Sequence, residues 1–173
     1  MALHRKKYQN AILYLCRELG GEVRGKKKLA KILYFVDFDF FEKYQKSITG
    51  DIYKAYPKGP LPSALDDMVN DLKKAKALDV KAVKEWGEQY APTEVFRCLV
   101  EPDISVFDQD EKQMLDRVIK RYGKLNGEQL AELSHAEVPY TATESYQEIP
   151  YEFSYYRGTD FTPKPISKDL VCG

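Results

Sequence analysis

The sequence predicts a mainly α protein: a compact helical domain with a small β element, a hairpin, and an extended C-terminal segment. Three observations predict it. Apolar residues recur at helical spacing in five separate stretches. Short alternating runs rich in turn formers interrupt them in two places, 47–62 and about 80–100. After Pro139 the periodicity gives way to an irregular, aromatic run. The 173 residues, 43% of them hydrophobic, suffice for one domain with its own core. The expected division is 1–145 for the helical domain and 146–173 for the extended segment, packed on the same domain.

The first helix places Tyr8, Ile12, Leu15, Cys16 and Leu19 on one stripe and ends at Gly20-Gly21. The second starts near Gly25, and Leu29, Ile32, Leu33, Val36 and Phe40 keep its spacing. That stripe runs without a breaker into YFVDFDFF, Tyr34 to Phe41. As a strand this octapeptide would set Asp37 and Asp39 side by side. As a helix it turns them about 200° apart, where they cannot share a proton or a metal. Continuity favours the helix. Val36 and Phe40 then face the core, and the remaining rings exceed what one stripe hides. Asp37 is placed to bond backbone amides of the following ITGDIY loop.

SITGDIYKAYPKGPLP holds the hairpin-like alternation, with Ile52 and Tyr56 on one side and Tyr53 and Ala55 on the other. A third helix is expected over 62–77, with Leu65, Met68, Val69 and Leu72 inward. Two strands follow near 80–86 and 94–100. Asp108 with Glu111, and Asn126 with Gln129, are capping-box pairs that open helices four and five, and Leu125 and Leu130 form a hydrophobic staple. Pro139 limits the fifth helix. One helical turn and a strand near 151–156 are expected beyond it.

Net charge is zero, yet residues 1–31 hold nine Lys/Arg against two Glu, and 126–153 hold six Glu with no Lys or Arg. Such ends either face different partners or neutralise each other in the fold. The cluster Lys26, Lys27, Lys28 and Lys31 opens a helix, where positive charge opposes the macrodipole. It binds phosphates or an acidic surface, or it is simply solvated. Cys16, Cys98 and Cys172 form neither a disulfide framework nor a zinc signature, which fits a reducing, cytoplasmic setting. No apolar run is long enough to cross a membrane, and the N-terminus reads as an amphipathic helix, not a signal peptide.

No catalytic motif is present: GxSxG, P-loop, GxGxxG before a helix and HExxH are all missing. His4 lies in the basic N-terminus. His135, near the end of helix five, suits a helix C-terminus. An enzyme, a cofactor and a metal are therefore not expected. A helix followed by two strands resembles a winged-helix DNA reader. However, Asp66, Asp67 and Asp71 on the third helix would repel phosphates.

KLAKILYFVDF, SITGDIYKAYPKGPLP and LSHAEVPY, in this order, resemble the Panacea antitoxin domain, also called SocA-like. The matching positions are Leu29, Lys31, Leu33, Tyr34, Asp37, Ile48, Thr49, Gly50, Tyr53, Ala55, Gly59, Pro60, Leu133, His135, Glu137 and Pro139. They span about 25–140. Tyr140 stands where the family pattern has Trp, and the tail after about 145 is less clearly covered. The resemblance implies a small helical protein that neutralises a cognate toxin by direct contact, with some members acting as adaptors that hand a toxin to a protease. The acidic, aromatic C-terminal stretch then offers a contact set: Tyr140, Glu144, Tyr146, Glu148, Tyr151, Glu152, Phe153, Tyr155 and Tyr156. Tyrosines supply interface area at low entropic cost. The competing reading packs these rings back as a C-terminal strand. The alternative function is nucleic-acid binding through the basic N-terminal third, autoregulating the chain's operon.

Overall fold

A computed structural model of the chain describes residues 2–163; Cys172 and the remainder of the expected C-terminal segment, 164–173, lie outside it. The fold is built around α2, Lys26–Tyr44. Every residue from Leu29 to Phe41 is buried, so α2 is covered on all sides and not along one stripe. This accounts for the five rings of YFVDFDFF, and it also buries Lys31, Asp37 and Asp39, each of which then needs a partner.

α1, Arg5–Glu18, buries Tyr8, Ile12, Leu15 and Cys16. α3, Leu65–Lys74, buries Leu65, Met68, Val69 and Leu72. Three strands form an antiparallel sheet in the order β1-β5-β4: β1 Glu22–Arg24, β4 Leu78–Val83 and β5 Thr93–Cys98. Val23 and Val80 both align with Phe96, giving the sheet its apolar row. The register runs two residues earlier for β4 than its expected start, and β1 was not expected at all.

α4, Gln109–Tyr122, and α5, Gly127–His135, each begin with the expected capping box, both reciprocal bonds being made. α6, Val138–Thr141, is the single expected turn, with Pro139 in its first residues. β2, Tyr53–Tyr56, and β3, Gly59–Pro62, form the hairpin.

Two expectations need correction. Residues 151–156 are a 3₁₀ helix, Tyr151–Tyr156, not a strand. The β pairing lies earlier: residues 146–149 run along β2 through Tyr146 N to Ala55 O (2.7 Å), Ala55 N to Gln147 O (3.0 Å) and Ile149 N to Tyr53 O (2.8 Å). The ladder ends there, because Tyr151, the next residue in phase, already belongs to the 3₁₀ helix that Pro150 caps. Secondly, about half of the described residues are helical and two small antiparallel sheets accompany them, so the fold is mixed α/β and the mainly α expectation holds only in part.

Candidate functional site

Three buried polar clusters are built on α2, around Asp37, Lys31 and Asp39. The first surrounds Asp37. Its Oδ1 accepts the amides of Ile48 and Thr49, both at 2.9 Å, and its Oδ2 accepts the Thr49 and Tyr53 hydroxyls. Burial pushes this carboxyl up, against the pull of those donors. The expected role of Asp37 as the holder of the ITGDIY loop is therefore observed. Asp51 continues the network by accepting from Tyr8 Oη (2.7 Å) and the Ala64 amide, while its carbonyl accepts from Tyr151 Oη. Gly50 lies against the Ala2 carbonyl, where a Cβ would fall at 2.0 Å.

The second surrounds Lys31. The side chain is fully buried, and Nζ donates to the Pro60 carbonyl at 2.9 Å. Burial pushes its ammonium down to about 7, with the Lys27 charge adding to the effect. Gly59, at φ +109°, passes so close that a Cβ would sit 2.7 Å from Lys31 Cε and 3.0 Å from Ser134 Oγ. His135 packs its ring on Tyr140, with centroids 4.8 Å apart, but its buried Nε2 has no hydrogen-bond partner. Tyr140 donates to the Tyr56 carbonyl at 2.7 Å.

The third surrounds Asp39, which accepts from Arg117 (2.8 Å) and Arg157 (2.6 Å). Arg157 also reaches Glu42 at 3.1 Å and Glu137 at 3.0 Å, and its side chain is 4% exposed. Tyr34 lies close enough to Glu137 to perturb it, but the pair falls short of hydrogen-bond geometry, leaving Tyr34 Oη and Glu137 Oε1 unpartnered. Asp37 and Asp39 thus serve separate networks, as helical geometry requires. Arg157 was missed from sequence. Its signal was there: it is the first cation after an uninterrupted run without Lys or Arg from 125 onward.

The lysines of the expected basic patch all have partners within the chain. Lys26 pairs with Asp66 at 2.5 Å, Lys27 with Glu128, and Lys28 donates to the Gly123 carbonyl at 2.7 Å. These partners offset the unfavourable placement at a helix start.

The expected contact set divides in two. Tyr151 stacks on Phe38 and Phe41, centroids 4.6 and 5.1 Å away, and Tyr140 and Phe153 are half-buried. Glu144, Tyr146, Glu148, Glu152, Tyr155 and Tyr156 are exposed, Tyr156 by 74% and Tyr146 by 58%. Tyr155 leans on Phe41, and Tyr146 meets Tyr56 edge-on. The segment from 125 to 156 thus exposes carboxylates and phenol rings and contains no Lys or Arg of its own; Lys54 of β2 is the cross-strand neighbour of Glu148.

The segments around Leu29–Asp37, Ile48–Pro60 and Leu133–Pro139 are distant in sequence and meet on α2. The model of the family described as antitoxin SocA-like, Panacea domain, matches residues 29–140. The chain belongs to that family. Neither the curated proteins nor the solved structures give a match. Within this SocA-like chain, the matched region supplies most of α2, the hairpin, α3, strands β4 and β5 and α4–α5, whereas β1, the exposed tyrosines 146, 155 and 156 and the latch Arg157 lie outside it. Among the described residues no helix is long and apolar enough to cross a membrane, and no three His, Cys, Asp or Glu are grouped to hold a metal.

Proposed function

We propose that this chain is a cytoplasmic antitoxin that neutralises a cognate toxin by direct contact, without catalysis of its own, through the surface formed by Glu144, Tyr146, Glu148, Glu152, Tyr155 and Tyr156. The observation that carries this reading is the exposure of those rings and carboxylates on a segment that is itself pinned, by Arg157 and by pairing to β2. A preordered aromatic surface loses little entropy on binding. Its charge fits a basic patch, of the kind a toxin acting on nucleotides or RNA uses to hold phosphates. Blockade at that patch is the primary mode; delivery of the bound toxin to a protease is the alternative mode.

The test is co-expression with the flanking reading frames. One of them arrests growth alone and is silenced by this chain, and the triple variant Y146A/Y155A/Y156A loses the rescue while remaining folded. A full rescue by that variant moves the contact surface elsewhere.

One observation favours nucleic-acid binding as the second reading: α1-β1-α2-α3-β4-β5, with sheet order β1-β5-β4, follows the order of elements in winged-helix proteins once the β2–β3 hairpin inserted between α2 and α3 is set aside. Against it, α3 exposes Asp66 and Asp67, and Lys26, Lys27, Lys28 and Lys31 are all engaged internally. Binding to the chain's own upstream DNA that weakens steeply with salt would restore it.

A further inference from the structure

The end of α4 carries cations that neither the clusters on α2 nor the proposed toxin surface fully uses. Arg117, Lys120 and Arg121 fall on one face of the helix, three and four residues apart. Gly123 keeps helical angles, φ −61° and ψ −28°, so Lys124 continues the same spacing. Arg117 is taken up by Asp39 and by the ring of Phe161. Lys120, Arg121 and Lys124 stay exposed. The helix dipole favours cations at this end, which offsets the repulsion between the like charges at 120 and 124.

Two other elements bring their own cations to the same place. Lys28, at the start of α2, donates to the Gly123 carbonyl at 2.7 Å. That partner is neutral, so the charge of Lys28 is not cancelled. Lys27 packs on the start of α5, where a Cβ on Gly127 would lie 3.3 Å from its own, and pairs with Glu128. Lys58, exposed in the β2–β3 turn, lies near the same carboxyl: Lys27 first and Lys58 after it hold Glu128 below its usual range. Lys27, Lys28, Lys58, Lys120, Arg121 and Lys124 thus gather round the α4–α5 turn, and Glu128 answers the first of them. Among the described residues, no carboxylate pairs with Lys58, Lys120, Arg121 or Lys124.

We propose that this face binds the phosphate backbone of a duplex nucleic acid, without regard to sequence. Side chains three and four apart on a helix start about 5–6 Å from one another, and long flexible ones reach successive phosphates of a strand from there. What the face lacks decides between polyanions. None of the large exposed apolar residues of the described chain lies in 113–128, at the start of α2 or in the β2–β3 turn. A protein interface draws on aromatic anchors and is poor in lysine at its core. A single strand stacks its bases on exposed rings. A duplex backbone asks only for charge. This contact also differs from the winged-helix reading, because α3 takes no part and no base edge is read. The whole chain has a net charge of zero, so its attraction for a polyanion has to be local.

Fluorescence anisotropy of the full chain with a labelled duplex of about 24 base pairs and arbitrary sequence tests this. The expected Kd is roughly 1–100 µM at about 50 mM KCl. Affinity falls about 40-fold by about 200 mM, the response to three neutralised phosphates. K120Q/R121Q/K124Q removes the binding. K73Q/K74Q/K76Q takes the same charge from the exposed end of α3 and leaves affinity within about twofold. Far-UV dichroism confirms that each variant is folded; if the α4 variant is not, K58Q/K124Q, outside the helix, carries the test with a loss of at least about fivefold. No binding at the lower salt, indifference to salt, or an equal loss in the α3 variant overturns the proposal. So does tighter binding of poly-glutamate at equal charge, which would assign the face to an acidic protein, or of the single-stranded probe.

Discussion

Replacing Lys31 with Met should change how stability depends on pH. The ammonium has an ordinary value of 10.5 in the unfolded chain and about 7 in the folded one, because α2, the hairpin and α5 exclude water from it. Below pH 7 the group is charged in both states, and the folded state bears the whole cost of desolvation. Above pH 7 the folded protein releases the proton while the unfolded chain keeps it, so stability rises with pH. The slope approaches about 1.4 kcal/mol per pH unit, and the rise from pH 6 to pH 8.5 amounts to roughly 2 kcal/mol. Higher pH is unsuitable, because burial pushes the Cys16 thiol from 9.0 up to about 12 and raises Tyr8 and Tyr53, and these groups reverse the trend. Urea unfolding of wild type and K31M at pH 6, 7 and 8.5 measures the effect. K31M lacks the hydrogen bond to Pro60, a loss of about 1 kcal/mol, but also lacks the charge. Its curve stays flat relative to wild type, so wild type gains on it by about 2 kcal/mol across the range. Parallel curves would refute the reasoning, since they would mean that Lys31 keeps an ordinary pKa.

Three further outcomes follow from the buried clusters and the exposed surface. Arg157→Leu leaves Glu42 and Glu137 without their cation and should cost about 3–5 kcal/mol, with amide exchange at 146–161 accelerating before the rest of the chain. Asp37→Asn turns an amide N–H₂ toward donors that need an acceptor; a loss of about 2–3 kcal/mol in urea unfolding is expected, and Asp37→Ala should be no milder. Tyr155→Ala with Tyr156→Ala should change stability by less than about 1 kcal/mol, while removing most toxin binding in a pull-down; intact binding would relocate the interface.

What could be read from the sequence was what depends on near neighbours. Asp108 with Glu111 and Asn126 with Gln129 are three residues apart and make their bonds whatever the rest of the chain does. Asp37 lies 11 and 12 residues from the amides it holds, within reach of the loop its own helix feeds. Arg157 meets Asp39 and Glu42 across 118 and 115 residues, and no spacing announces such a meeting. β1 is too short for periodicity to register, and it exists because β5 offers it a ladder. The 151–156 strand was misread because aromatic residues raise β propensity, whereas here Tyr151 and Tyr155 cap the rings of α2 from a tight helical turn. The exposed surface of Tyr146 and Tyr156 differs from the buried set only in tertiary context, which composition does not encode.

The stacking of Tyr151 on Phe38 and Phe41 has a consequence for biosynthesis. Those two rings leave the ribosome early, and the ring that covers them is translated some 110 residues later. At bacterial-type elongation rates of about 5–20 residues per second, the aromatic helix waits roughly 5–20 s for its cover. During that interval the nascent chain displays the rings of Phe38 and Phe41, a ready target for a holding chaperone. Since the segment that ends the wait also carries Tyr155 and Tyr156, completion of the core and presentation of the proposed toxin-binding surface become a single timed event.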